Sequence, residues 1–321
     1  MIGIVIAALL WGTTGTAATL LPSGVSPLAT GASTMAVGGL LLALTAPRRT
    51  RAVLADRSAW PWLVPGAVAT AVYPLAFYAG MSWAGVAIGN VISLGTAPLF
   101  AFSLERLLDP PGARPRVTTR WAISAVAAVL GVAGLALGGH AEADGAAGTA
   151  PHLLPGIGLG LVAGLAYAAY SYTAGRLMRE GHGSRGAVAA QFALGGALLV
   201  PVLAATIGPA PTSAGPVADT PLSRLVGEVP PLAVLAYLAL GPMFLAYVAF
   251  GRGLMTVPSS RATTVTLLEP RVATLLAVLA VGERLTPLGW VCLALVLAGV
   301  VLTATDARPT PAPAPTPAPK P

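Results

Sequence analysis

Thr96-Ala97-Pro98-Leu99 and Leu268-Glu269-Pro270-Arg271 are the stretches on which the fold turns. Each sets a proline inside a long apolar segment. From Pro98 the chain runs on to Trp121, and from Pro270 to Trp290, the first stretch being three residues longer. Working outward, Ala8-Leu9-Leu10-Trp11-Gly12 is answered by Gly164-Leu165-Ala166-Tyr167-Ala168, and Gly80-Met81 by Gly253-Leu254. The matches keep one order, so residues 2–139 and 155–304 repeat each other. Each half reads as five apolar helices. Five spans carry the chain to the opposite side of a bilayer, so the second half sits inverted relative to the first. Inverted repeats around a midplane site are a transporter architecture.

Composition agrees. The 321 residues are 55% hydrophobic and 9% charged, against roughly a quarter charged in soluble domains. A span needs about 20 apolar residues. Ten fit, near 2–21, 27–46, 62–81, 86–104, 121–139, 155–177, 186–207, 231–251, 262–281 and 287–304. The expected fold class is therefore all-α integral membrane, with ten transmembrane helices as two inverted five-helix repeats. The expected domains are a first repeat over 1–139, an outer loop over 140–154, a second repeat over 155–305 and a disordered proline-rich tail over 306–321.

The net charge of +7 invites a nucleic-acid reading that charge placement defeats. With the N-terminus inside, fifteen Arg and Lys fall on inner loops and the tail, while only Arg224 and Arg284 fall outside. This positive-inside bias predicts both termini in the cytoplasm, in the inner membrane of the cell. The single cysteine, Cys292, excludes an intramolecular disulfide and suggests no metal cluster. No cofactor is expected. The first segment lacks a basic leader and has a counterpart in the second half, so it reads as a retained span.

The residues able to do chemistry concentrate in the ninth segment. A charge at mid-bilayer costs about 2.5–3.5 kcal/mol on insertion scales, and this segment holds both Glu269 and Arg271. Two residues apart on a regular helix point about 200° apart, from a ~100° step. Pro270 has no N–H, so the carbonyl of Thr266 is left free and the helix bends or opens there. Glu269 is a candidate to contact substrate or a coupling proton, and Arg271 to neutralise it or hold a carboxylate. A buried ion pair tying the segment to a neighbour is the structural alternative. Thr263, Thr266 and Glu269 recur every three residues. Asn90, Ser93 and Thr96 do the same ahead of Pro98, making Pro98 and Pro270 paired hinge candidates. Trp60, Trp62, Trp83, Trp121 and Trp290 sit at segment ends, as an interfacial belt would. Trp11 and its counterpart Tyr167, with Tyr78 and its counterpart Tyr247, lie within segments and could enclose an organic solute. Gly156, Gly160 and Gly164 favour close helix approach. No HExxH, GxSxG, CxxC or Walker pattern occurs, which argues against an enzyme and against ATP-driven pumping within this chain.

Leu10-Trp11-Gly12, and Leu268-Glu269-Pro270 leading to Gly282-Glu283-Arg284-Leu285 and Gly289-Trp290, resemble the drug/metabolite transporter superfamily, of the type with two EamA domains. The first copy departs from that pattern, with Glu105-Arg106 soon after Pro98 and Gly112-Ala113-Arg114 in place of a Gly-Glu-Arg turn. Arg271 stands where an apolar residue is common. The resemblance covers nearly all of 1–305. It implies secondary transport, generally export, of small organic solutes such as amino acids, related metabolites and drug-like compounds. It also implies a cavity lined by helices 1, 3, 4, 6, 8 and 9. The expected partners are a small-molecule substrate, a coupled proton and the lipid bilayer, without nucleic acid, in a monomer or homodimer. The rival readings are an importer of sugar- or nucleotide-type solutes, and a non-transporting membrane scaffold or sensor.

Overall fold

In a computed structural model, the structure describes residues 1–112, 114, 116–138, 152–206, 215–254, 266 and 268–306. The first half contains α1 (Ile2–Gly12), α2 (Thr14–Ala18), α3 (Pro27–Thr45), α4 (Pro47–Ala55), α5 (Trp60–Ala84), α6 (Val86–Leu108) and α7 (Thr119–Gly138). The second contains α8 (Leu153–Arg179), α9 (Ser184–Thr206), α10 (Pro221–Val226), α11 (Pro231–Leu238), α12 (Ala246–Leu254), α13 (Leu268–Leu276) and α14 (Pro287–Asp306). A π-helical stretch, Ala239–Leu245, joins α11 to α12, and another, Ala277–Val281, extends α13.

Six helical stretches are long and apolar enough to cross a membrane: Pro27–Thr45, Arg57–Ala84, Val86–Leu108, Leu153–Arg179, Ser184–Thr206 and Pro231–Phe250. Shorter apolar helices cover Ile2–Ala18, Thr119–Leu135 and Pro287–Gly299. The outward surface is apolar too, with Leu40, Leu44, Val129, Leu130, Val200, Leu275 and Leu279 all exposed. Such a surface is not sustainable in water over this extent, and a bilayer is the solvent it fits. The chain is a multi-pass, all-helical membrane protein.

Local sequence sets the breaks. Ser26 caps α3 by accepting from the Ala29 N–H at 3.0 Å, with Pro27 in the first turn where its missing donor costs nothing. Gly85 at φ 88° turns the chain between α5 and α6, a conformation that a side chain would strain. Thr13 ends α1, its hydroxyl donating to Leu10 O at 2.7 Å. The buried Ser93 and Thr96 hydroxyls are satisfied one turn back, by Gly89 O and Ile92 O, each at 2.7 Å.

Packing runs mainly between the halves. α5 packs on α8, and α1 on α12. α6 packs on α8, and α13 on α1. α3 faces α9, and α7 faces α14. Numbered by the ten segments expected from the sequence, these are pairs 3–6 and 1–8, 4–6 and 1–9, 2–7, and 5–10. Exchanging the two halves turns each of the first pairs into its companion and maps the last two onto themselves. Small residues permit the approach. A Cβ on Gly156 would meet Ala84 N at 2.7 Å, one on Gly160 would meet Ile92 Cγ2 at 3.0 Å, and one on Gly164 would meet Ser93 O at 2.8 Å. The glycine row of α8 thus lies against the end of α5 and the length of α6.

Candidate functional site

A chain of aromatic rings runs through the centre of the bundle. Trp11 on α1 meets Tyr247 on α12 edge-on at 5.2 Å, and Tyr247 meets Phe192 on α9 at 5.1 Å. Phe192 meets Tyr170 at 5.6 Å, and Tyr170 meets Tyr167 at 5.0 Å, both tyrosines on α8. Tyr73 on α5 closes the group, 5.7 Å from Tyr167 and 5.9 Å from Tyr170. Edge-to-face contacts of this kind hold rings beyond what area burial alone provides. The Tyr170 and Tyr247 hydroxyls lie 3.4 Å apart. Trp11 is fixed by its indole N–H, which donates to Pro242 O at 2.9 Å. That carbonyl lies in the π-helical stretch, where the wider turn is a common feature of functional sites.

Glu269 faces this group. Its carboxyl lies in Coulombic range of Tyr73, Tyr167 and Tyr247, which stand on three different helices. Its own helix, α13, packs chiefly on α1 and α6. Gly12 makes that contact close: a Cβ there would meet Val272 Cβ at 2.7 Å and Glu269 O at 3.1 Å. Trp11 and Gly12 therefore divide the work, the glycine letting α13 approach and the tryptophan turning into the rings. Trp11, Tyr73, Tyr167, Tyr247 and Glu269 each retain accessible surface although they stand on inward-packed helices. Tyr73, Tyr167 and Tyr247 pack against the core cluster of Met35, Tyr170 and Phe192 and are only partly buried there.

The remaining sequence candidates are placed differently. Thr266 is half-buried one turn before Glu269. Tyr78 is buried and turned toward Thr34 on α3, touching the ring chain only through Phe77 at 5.7 Å. Asn90 and Ser93 are fully buried in α6, and among the described residues neither polar atom of the Asn90 side chain finds a partner. Pro98 lies within an uninterrupted α6. Pro270 is buried in the first turn of α13, its carbonyl accepting from the Thr274 hydroxyl at 2.8 Å. Arg271 points the other way. It is exposed and lines a groove of about 540 Å³ with Ala294, Leu297, Ala298, Val301 and Leu302 of α14. Thr263 lies outside the described residues.

Two polar clusters escaped the sequence reading. At the arginine-rich end, Asp109 follows α6 and is nearly buried. It accepts from the Tyr172 hydroxyl at 2.8 Å, with Arg176 at 3.4 Å and Arg179 at 3.7 Å. Beside it, Arg176 lies 4.5 Å above the Trp62 ring, and the Trp62 indole donates to Glu180 at 2.7 Å. Asp56 also lies at this end. The Ser58 hydroxyl and then the Ser58 N–H hold its carboxyl below the usual range, with His182 Nε2 3.4 Å away. His182 is mostly buried there. At the opposite end, Glu283 accepts from the Val86 N–H, and from the Ala87 N–H at 3.0 Å, so an acid of the second half caps the first turn of α6. No spacing rule links Asp109 to Tyr172 or Glu283 to Val86.

An apolar helical bundle of this extent defines a multi-pass membrane protein. The comparisons with known proteins carry this further. The model of the EamA-like transporter family matches residues 1–137 and 154–305. An uncharacterized transporter, YwfM of Bacillus subtilis (strain 168), is 31% identical over 310 residues, covering 95% of this chain and 93% of the relative. A solved structure described as "Crystal structure of protein" shares 21% identity over 94% of each chain, with a TM-score of 0.57, a likeness of fold. The chain belongs to the EamA-like transporter family.

Proposed function

We propose that the protein is a secondary exporter of small organic solutes that works by alternating access around the rings at Glu269. In this reading ten helices cross the inner membrane as two inverted repeats, with both termini cytoplasmic. The exchange symmetry of the helix pairs supports the repeat, because an inverted two-fold relation produces that pattern. The observation that carries the transport reading is the placement of Glu269. It faces tyrosines from both halves, between a latch at Asp109 and a cap at Glu283 on opposite ends. Rocking of the halves would break one end cluster at a time, with Pro98 and Pro270 as hinges.

Within the proposed site, Trp11, Tyr167 and Tyr247 contact the solute and Glu269 contacts the solute or a coupling proton. Tyr78, Asn90 and Ser93 act behind this surface, and Thr266 borders it. Arg271 lies outside it. The test is untargeted: proteoliposomes loaded with a defined mixture of amines, amino acids, sugars and neutral solutes, with the lumen read by mass spectrometry. Selective loss of one class, absent from protein-free liposomes and from Glu269→Gln, is expected. Uniform retention of every solute overturns the reading. Transport by Glu269→Gln that keeps its full response to a pH gradient removes the proton role.

A further inference from the structure

Arg271 stands inside an apolar segment, and the fold turns it outward. Arg271, Leu275 and Leu279 recur at four-residue spacing along α13 and its π-helical extension, and all three are exposed. Pro270, Ala273 and Thr274, on the other side of the helix, are buried. The guanidinium therefore shares its face with leucines that meet lipid tails, where a charge without a counter-charge is costly. Among the described residues no carboxylate pairs with it, whereas Arg176 and Arg179 reach Asp109 and Arg224 reaches Asp219.

Beside this arginine the bundle leaves room. α13 and α14 each pack on α6, and the groove of about 540 Å³ at Arg271 is lined by Ala294, Leu297, Ala298, Val301 and Leu302. These five recur at spacings of three and four, so they form one face of α14. The two alanines are exposed, which leaves the groove open to the bilayer. Its depth follows from helix rise. α13 ends toward Glu283, at the end opposite the arginine-rich one. At ~1.5 Å per residue, Arg271 lies about 16 Å from Gly282, near the middle of a ~30 Å hydrocarbon layer. Helical side chains lean toward the helix N-terminus, so the Arg271 stem leads toward the arginine-rich end. Val301 and Leu302, close to the end of α14, lie on that side as well.

Three requirements meet here. The guanidinium matches an anion whose oxygens fit its planar fork, as phosphate does. The groove matches a hydrocarbon chain. The lipid-facing position matches a molecule that arrives from within the bilayer. We propose that Arg271 and the groove along 294–302 hold one acidic phospholipid of the leaflet at the arginine-rich end, with its phosphate on the guanidinium and an acyl chain in the groove. A zwitterionic phospholipid carries the same phosphate, but its own ammonium group competes for it. This site is independent of the transport reading. It lies across α13 from Glu269, since two residues on a helix point about 200° apart at ~100° per step.

The test is lipid retention by the purified full-length protein, read by native mass spectrometry during titration with dioleoyl phosphatidylglycerol, dioleoyl phosphatidylcholine and oleate. One phosphatidylglycerol is expected to be held at least about tenfold more tightly than phosphatidylcholine. Arg271→Leu is expected to abolish that preference, and Arg271→Lys, which keeps the charge and loses the fork, to retain part of it. Ala298→Phe fills the groove without touching the charge and is expected to weaken both phospholipids. The exposed arginines of α4 supply the control: replacing Arg48, Arg49 and Arg51 together by Gln should remove only loosely held acidic lipid and leave the tight one. Monodispersity and Tm show that each variant is folded. Three results overturn the site: no tightly held phosphatidylglycerol, a preference that survives Arg271→Leu, or one that disappears with the α4 arginines instead. Tighter retention of oleate than of phosphatidylglycerol overturns the phospholipid assignment. A dimer of the parent that Ala298→Phe dissolves overturns it too, and gives the groove to a second copy of the chain.

Discussion

Replacing Asp109 by alanine should open the arginine-rich end of the bundle. The Tyr172 hydroxyl donates to its carboxylate at 2.8 Å, and the carboxylate is nearly buried. A hydrogen bond to a charged group is worth about 1.5–3 kcal/mol. The arginines stand farther off, at 3.4 and 3.7 Å, and are 24% and 54% exposed. Together they add no more than about 1 kcal/mol, the range for partly wet ion pairs. The cluster thus holds this end closed by about 1.5–4 kcal/mol, and its loss shifts opening by about 10- to 700-fold, at ~1.4 kcal/mol per tenfold. Asp109→Asn keeps an acceptor for Tyr172 and should lose roughly half of that energy. Hydrogen exchange by mass spectrometry reads the effect in the last turn of α8. When opening and closing are fast relative to exchange, the rise in rate equals the rise in opening. The control is Asp219→Ala. Its ion pair with Arg224 is shorter, at 2.7 Å, but both side chains are about 70% exposed, so no change is expected beyond α10. If Asp109→Ala leaves exchange at the end of α8 within twofold of the parent, the latch argument is wrong.

Three further outcomes follow from the packing and the end clusters. Glu283→Gln should raise exchange of the first-turn amides of α6, a loss of about 1–2 kcal/mol, because the neutral amide no longer complements the helix terminus; unchanged protection at Val86 and Ala87 would contradict the cap. Gly164→Ala should lower Tm in detergent, since its Cβ would meet the Ser93 carbonyl at 2.8 Å and backbone cannot step aside, a cost of about 1–3 kcal/mol. Gly158→Ala, with nothing within 4 Å of the added carbon, should leave Tm unchanged, and equal losses in the two variants would refute the close-packing account. Asp56 has a depressed carboxyl, so its contribution is complete above the unfolded carboxylate value and fades as pH falls through the folded one. The Arg57–Ala59 turn should keep its exchange protection at neutral pH and lose it only below about pH 4, whereas Asp56→Ala, which removes the acceptor for the Ser58 N–H, should lack that protection throughout.

Much of the fold was legible because apolar length and proline-marked repetition are local properties. The segments around 27–46, 62–81, 86–104, 155–177 and 186–207 each correspond to a single helix of spanning length. The segment near 2–21 is divided at Thr13, whose hydroxyl serves both Leu10 O and Tyr237 Oη, a tertiary contact invisible in the sequence. The segment near 231–251 carries a π-helical stretch at Pro242 that periodicity does not reveal. Of the candidate site, Trp11, Tyr167, Tyr247 and Glu269 were found because rings and acids inside apolar segments are conspicuous. Arg271 was conspicuous for the same reason, but composition cannot tell which side of α13 it occupies. Tyr73, Tyr170 and Phe192 do not stand apart from packing residues, because an aromatic residue in an apolar helix is ordinary until its neighbours are known. Asp109 and Glu283 gain their partners only across the bundle, 63 residues away for Tyr172 and 196 for Ala87.

Trans-stimulation of flux tests the central claim most directly. Proteoliposomes are loaded with the labelled solute that the mixture assay identifies, and its loss is timed with and without the same unlabelled solute outside. A carrier that exposes one site alternately returns faster when it returns loaded, so external solute should accelerate loss and saturate as it does so. Loss that is indifferent to external solute and linear in concentration would contradict alternating access around Glu269.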